Sequence, residues 1–172
     1  MSRSPKKNET DFKAYIQRKI IFPDALEAQV EQIKKESKTI ATLNGSFDLF
    51  HAGHLEILYQ ASMQADVLIV ALNSDQSVKQ YKSPLRPIIP LEYRLEVIAS
   101  LEFVDYVTWF DEVDPCVLLE KIQPHVHVNG AEYGENCIEA STVKAYGGRI
   151  HLVQRIEGLD TSEIIKKILV CG

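Results

Sequence analysis

The chain has 172 residues, 45% of them hydrophobic and 25% charged, the size and balance of one globular domain that can bury a core without staples. Its net charge of −5 hides an asymmetry: residues 1–38 hold nine Lys/Arg against six Asp/Glu, a balance of +3, so the other 134 residues sum to −8. So acidic a body excludes general binding to a nucleic-acid backbone, and no apolar run reaches the roughly 18–20 residues that cross a bilayer.

The chain starts MSRSPKKNETDF, polar and without the apolar stretch of a secretory signal. Cys116, Cys137 and Cys171 form no CxxC pair and read as free thiols in a reducing cytoplasm. Residues 1–11 read as a tail. From Tyr15 to Lys35 the spacing of Ile16, Ile20, Ile21, Leu26, Val30 and Ile33 predicts helix, broken near Pro23, with Asp24 opening the second part. Residues 1–37 are thus expected to form a tail and helical arm ahead of a domain at 38–172. Short apolar runs follow at 39–43, 66–72, 104–110, 125–128 and 149–153. Helical periodicity separates or follows them at 54–64, 91–101, 115–122, 139–146 and 161–169. This alternation predicts an α/β, Rossmann-like single domain: a five-stranded parallel sheet with helices on both faces. DVLIVAL (66–72) is nearly all apolar, as a central strand covered on both sides should be.

In such sheets, ligands bind beyond the carboxyl ends of the strands where the strand order reverses. The stretch after the first strand is NGSFDLFHAGH (44–54). Asn44 and Gly45 leave the strand with residues that let a ligand approach the backbone closely. His51 then precedes a helix, with Gly53 and His54 in its first turn. That turn has free N–H groups and the positive end of the macrodipole, so it attracts phosphate. Two imidazoles there can donate to phosphate oxygens, and Gly53 keeps the gap between them open. A zinc site is disfavoured, because the pair spans a turn with no HExxH arrangement and no third ligand nearby.

The stretch carries the GxFDxxHxGH pattern, and with it the chain resembles the cytidylyltransferase-like nucleotidyltransferases. Within that family it is most similar to the adenylyltransferase half of the ADP-heptose synthases, over roughly residues 38–170. Matching blocks lie at 70–94, 100–107, 127–133, 145–153 and 155–168. The resemblance implies attack by the phosphate of a small substrate on the α-phosphorus of a nucleoside triphosphate, with release of pyrophosphate and no covalent enzyme intermediate. It implies that His51 and His54 stabilise the transition state, with Lys79 as a further catalytic cation. Gly45, Ser46 and Phe47 would offer backbone contacts to the nucleotide, and Asp48 would brace the turn. Asn73 and Asp75 join the nucleotide-binding set, and Lys82 and Arg86, in a loop after the second strand, would bind phosphates. Asn129, Gly130 and Glu132 would line the nucleotide pocket. Arg155 would lie near the triphosphate, with Thr161 and Ser162 capping the last helix beside the nucleotide. Asn129 stands where the heptose enzymes usually carry Lys, and Asp160 replaces their usual serine. Magnesium would arrive with ATP, without a dedicated protein metal site.

The function so implied is transfer of AMP from ATP to a heptose 1-phosphate. An alternative is a cytidylyltransferase acting with CTP on glycerol 3-phosphate or a similar polyol phosphate. Those enzymes typically carry an Arg-Tyr-Val-Asp motif where this chain has Glu102-Phe103-Val104-Asp105. A third reading, of another class, is a catalytically inactive nucleotide-binding module. The expected partners are the nucleotide and a small sugar or polyol phosphate, with no nucleic acid and no membrane. The resemblance also implies a homodimer. Arg94 is balanced between a salt bridge and a ligand, and His125, His127 and His151, inside apolar runs, read as structural.

Overall fold

Each of the expected apolar runs forms a strand in the computed structural model, which describes residues 9–154, 156 and 160–171. They are β1 (Ile40–Gly45), β2 (Val67–Asn73), β3 (Tyr106–Phe110), β4 (Val126–Gly130) and β5 (Arg149–Val153). All pair in parallel in the order β3-β2-β1-β4-β5. Central β1 has β2 on one side and β4 on the other, so Leu43 lies opposite both Val70 and Val128. The chain runs outward from β1 through β2 to β3, then returns to the far side of β1 for β4 and β5. The reversal opens a crevice beyond the carboxyl ends of β1 and β4. Every residue of β2 is buried, as its unbroken apolar run requires.

The period-2 alternation of β1 splits the core in two. Ala41 and Leu43 face α3 (Ala52–Ser62) and α5 (Leu91–Ala99), packing with Leu58, Ala61, Leu95 and Ile98. Ile40 faces the other way, onto Leu26, Val30 and Ile33 of α2 (Leu26–Lys35) and Ile122 of α6 (Cys116–Ile122). The shorter α7 (Ala140–Ala145) lies beside α6, and α8 (Thr161–Cys171) closes the chain.

The N-terminal segment packs onto the sheet and its helices. Helix α1 (Glu9–Gln17) begins earlier than its apolar spacing suggested and places Ile16 in the α3/α5 side of the core. Residues 19–21 then run along β3: Ile21 N–H donates to the Val107 carbonyl (2.8 Å) and Val107 N–H to that of Lys19 (2.8 Å). Helix α2 starts at Leu26 rather than Asp24 and packs on the opposite face. Residues 16–33 therefore reach both layers of the core.

A second difference matters for the site. The segment after β2, expected as a loop, forms helix α4 (Asp75–Tyr81). Ser74 caps it by accepting from the Ser77 N–H (3.2 Å). Two turns are too short for helical periodicity to show in the sequence.

Two histidines of the apolar run at 125–128 tie β4 to β1. His125 Nδ1 accepts the Ile40 N–H (3.0 Å). His127 is fully buried with Nδ1 2.8 Å from Thr42 Oγ1, and its burial lowers its pKa to about 4. Burial and the nearby Arg149 lower His151 as well.

Candidate active site

A cleft of about 440 Å³ lies at the switch point, bounded by the ends of β1, β4 and β5 and by the first turns of α3 and α8. The chain enters α3 at His51, the N-cap, whose Nδ1 accepts the Gly53 N–H (3.1 Å). That bond leaves Nε2–H as the donor of the neutral ring. His54 sits one turn on, and the two imidazoles stack at 3.9 Å between centroids, 24° from coplanar. Both line the cleft. Phe47 packs edge-on to His54 (5.3 Å) and Phe50 stacks on it (5.8 Å), so aromatic rings fix the pair from behind. Phe47 holds a left-handed backbone (φ +46°), a strained conformation for a bulky residue. The turn is that tight because Gly45 lets the ring through: a Cβ there would sit 3.2 Å from it. The first turn of α3 carries no acidic side chain, so no carboxylate offsets the positive end of its dipole at the cleft.

Two clamps brace the segments behind the lining. Asp48 Oδ1 accepts the N–H groups of Ile88 and Ile89 (2.8 Å each), and its Oδ2 accepts from Arg86 Nε (2.6 Å). Burial pushes this carboxyl up, but the two amides and the guanidinium together outweigh it and hold it below the usual carboxylate range. Arg94, 1% exposed, makes the second clamp. Its guanidinium donates to the carbonyls of Ile89 (2.9 Å), Ser46 (2.6 Å) and Asn73 (2.9 Å) and to Asp75 Oδ1 (2.7 Å). It is an internal brace tying the ends of β1 and β2 to α4 and α5.

These clamps re-sort the expected residues. Gly45, Ser46, Phe47, His51, Gly53, His54, Lys82, Asn129, Gly130, Glu132, Thr161 and Ser162 all line the cleft. Lys82 caps the end of α4, and its Nζ donates to Ser46 Oγ (2.8 Å). Asp48 braces the turn from beneath. Arg86, expected on phosphate, is instead engaged by Asp48, and Asp75 by Arg94. Asn73 is buried, its side chain donating to Ser77 Oγ (3.0 Å). Lys79 lies on the exposed side of α4, outside the cleft lining, because the segment coils into a helix and turns that position to solvent. Arg155 lies outside the described residues.

At the other wall Asp160, not Thr161 or Ser162, caps α8: its Oδ1 accepts the Glu163 N–H (2.9 Å). Asn129 is oriented by two bonds. Its Oδ1 accepts the Gly130 N–H (3.0 Å), and its Nδ2 donates to Oε2 of buried Glu139 (3.3 Å). Glu132 folds back so closely over Gly130 that a Cβ there would run into its carboxylate. The sequence reading missed Tyr81, Tyr133 and Gln154, which also line the cleft. Tyr81 stands next to Lys82 in the segment taken for a loop, so only recognition of α4 would have pointed to it. No group of three or more His, Cys, Asp or Glu poised to hold a metal occurs among the described residues, and none of their helices is long and apolar enough to cross a membrane.

A five-stranded parallel α/β sheet with paired imidazoles beside a helix N-terminus at its switch-point cleft defines a Rossmann-like fold. The chain belongs to the cytidylyltransferase-like family, whose model matches residues 42–167. It is 42% identical over 147 residues to the bifunctional protein HldE of Geobacter metallireducens, covering 85% of this chain and 30% of that one. The chain spans about a third of the length of the curated relatives it matches. Two solved structures share its fold. One is a lipopolysaccharide core biosynthesis protein from Thermoplasma volcanium (TM-score 0.56, 24% identity, 69% of this chain and 97% of that one). The other is a pantoate-beta-alanine ligase from Francisella tularensis, complexed with beta-gamma ATP and beta-alanine (TM-score 0.54, 17% identity, 88% of this chain and 79% of that one).

Proposed function

We propose that this cleft transfers AMP from ATP to a sugar 1-phosphate, a heptose 1-phosphate in the first instance, with release of pyrophosphate. The observation that carries the reading is the stacked His51–His54 pair at the N-terminus of α3, with Lys82 lining the same cleft. An oxygen of the acceptor phosphate forms a bond to the α-phosphorus as the bond from that phosphorus to the bridging oxygen of pyrophosphate breaks. No side chain need act as nucleophile, so catalysis is positioning plus stabilisation of charge on the transferring group. His51 and His54 donate to the phosphoryl oxygens, and the positive end of the α3 dipole faces the chain of phosphates. Glu132 accepts from the ribose hydroxyls, and Asn129, Gly130 and the first turn of α8 line the nucleoside. Magnesium enters with ATP. It would travel on phosphate oxygens and water.

The match to bifunctional HldE proteins and the resemblance to ADP-heptose synthases support the adenylyl and heptose assignments. A cytoplasmic location and a homodimer rest on the same resemblance. The test is pyrophosphate release with ATP, CTP, GTP and UTP against heptose 1-phosphate, other sugar phosphates and glycerol 3-phosphate. Release that needs ATP and a sugar 1-phosphate together is expected. Equal release with CTP and glycerol 3-phosphate would replace this reading with the polyol cytidylyltransferase, and binding without turnover would leave a nucleotide-binding module.

A further inference from the structure

Strands β2 and β4 flank β1 in the sheet, so the segments that leave them flank the end of β1 at Ser46. On the β2 side α4 ends in Tyr81 and Lys82; on the β4 side the 3₁₀ turn Ala131–Tyr133 ends in Tyr133. Both tyrosines line the cleft and remain open to solvent, Tyr81 at 41% and Tyr133 at 59%. Large aromatic side chains left this open within a concave site are candidates for a ligand surface, since solvent exposure gives them no folding role to fill. Tyr81 is not a loose surface ring. The Lys82 ammonium lies 5.3 Å from its centroid and also donates to Ser46 Oγ, so ring, cation and hydroxyl form one fixed unit. Partial burial of the Tyr81 phenol, with a smaller push from Tyr133, holds it above the ordinary tyrosine range, while the Ser46 hydroxyl and the positive charge of Arg94 and Arg86 pull the other way. The phenol therefore stays protonated, a neutral donor and acceptor, in any ordinary assay.

We infer that Tyr81, Lys82 and Ser46 form the acceptor subsite, with Tyr81 as the residue that selects a phosphate borne on a sugar ring over one borne on an open polyol. Lys82 and Ser46 supply the charge and hydroxyl that a phosphate monoester needs beside the histidine pair. Tyr81 supplies a flat apolar face for the C–H side of a pyranose and a phenol for one of its hydroxyls. An open-chain polyol offers neither a matching face nor a fixed hydroxyl pattern, and it loses more conformational freedom on binding. Tyr133, across the cleft, closes the subsite from the β4 side. The inference rests on the transferase reading above but adds what that reading leaves open, the residue that distinguishes acceptors.

The experiment compares wild type with Tyr81→Ala and Tyr81→Phe, reading pyrophosphate release against mannose 1-phosphate, heptose 1-phosphate and glycerol 3-phosphate. Binding of a non-hydrolysable ATP analogue is measured by calorimetry alongside. Tyr81→Ala should raise KM for the preferred ring acceptor about three- to tenfold. The KM for glycerol 3-phosphate should rise less, and the affinity for the analogue should stay unchanged. Tyr81→Phe keeps the ring face and should lie between the two. An equal rise for ring and open acceptors, or a loss of analogue affinity instead, would overturn the assignment, as would wild-type turnover of glycerol 3-phosphate alone. In the first two cases the transferase reading stands; in the third the sugar 1-phosphate reading falls with the assignment. No pyrophosphate from any acceptor would remove the transferase reading and this subsite together.

Discussion

Replacing Arg94 with methionine tests whether the segments behind the cleft lining are held by one buried cation. Methionine keeps most of the volume and the unbranched stem, so packing is largely preserved, but it removes every donor. The carbonyls of Ile89, Ser46 and Asn73 lose their partner where the side chain is 1% exposed. Each buried acceptor left unpaired costs about 1–3 kcal/mol. Asp75 is 40% exposed on its side chain and regains water, so its ion pair adds little to the total. Partial relaxation brings the sum to about 3–5 kcal/mol, the range found when one partner of a buried charge network is removed. With an m-value of about 2 kcal/mol per M, the urea midpoint of the variant should fall by about 1.5–2.5 M. Equilibrium unfolding followed by far-UV circular dichroism reads this directly. Arg94→Lys should recover only part of the loss, since an ammonium cannot reach all four acceptors at once. A midpoint within about 0.5 M of wild type in Arg94→Met would refute the clamp.

Two further outcomes follow from single side chains. His127 has its pKa lowered to about 4 by burial, against about 6.5 unfolded, so the unfolded chain binds the extra proton between those values and stability falls as pH drops through that window. Relative to pH 7, the loss by pH 4 should be about 3 kcal/mol from this group. His127→Leu should flatten the slope between pH 6.5 and 4 in urea titrations while costing about 1–2 kcal/mol at pH 7 through the orphaned Thr42 hydroxyl; an unchanged slope would show that His127 is not the titrating group. Gly130→Ala should move the Glu132 carboxylate out of the nucleotide wall at little expense in stability, because the clash is with the end of a flexible side chain. Nucleotide KM should rise about tenfold with the thermal midpoint nearly constant, and an unaltered KM would take Glu132 away from the nucleotide.

The sheet was legible because its signals are strong ones: apolar runs separated by helical periodicity admit few topologies. The histidine pair was legible because it follows the first strand and opens a helix, where strand order and macrodipole both point to a ligand. What escaped the sequence depended on pairings between distant segments. Arg86 and Lys82 look alike in SPLRP and QYKSP, yet one meets Asp48 and the other faces the cleft. Helix α4 is only two turns long, and its coiling turned Lys79 outward and brought Tyr81 to the lining. Asp160, taken as a departure in the phosphate region, supplies the cap for α8 that Thr161 and Ser162 were expected to give. The N-terminal segment carried the apolar spacing of a helix, but nothing local to it could reveal that it packs on both layers of the core.

The central claim is that the stacked imidazoles act on the transferring phosphorus rather than on ground-state binding. The direct measurement is the single-turnover rate of AMP transfer in wild type and His54→Ala under saturating ATP and sugar 1-phosphate, with ATP affinity taken on the same preparations. The account predicts a chemical step slowed about 10²–10³-fold with ATP affinity changed less than about threefold. A variant that binds ATP poorly but, once saturated, turns over at the wild-type rate would contradict it.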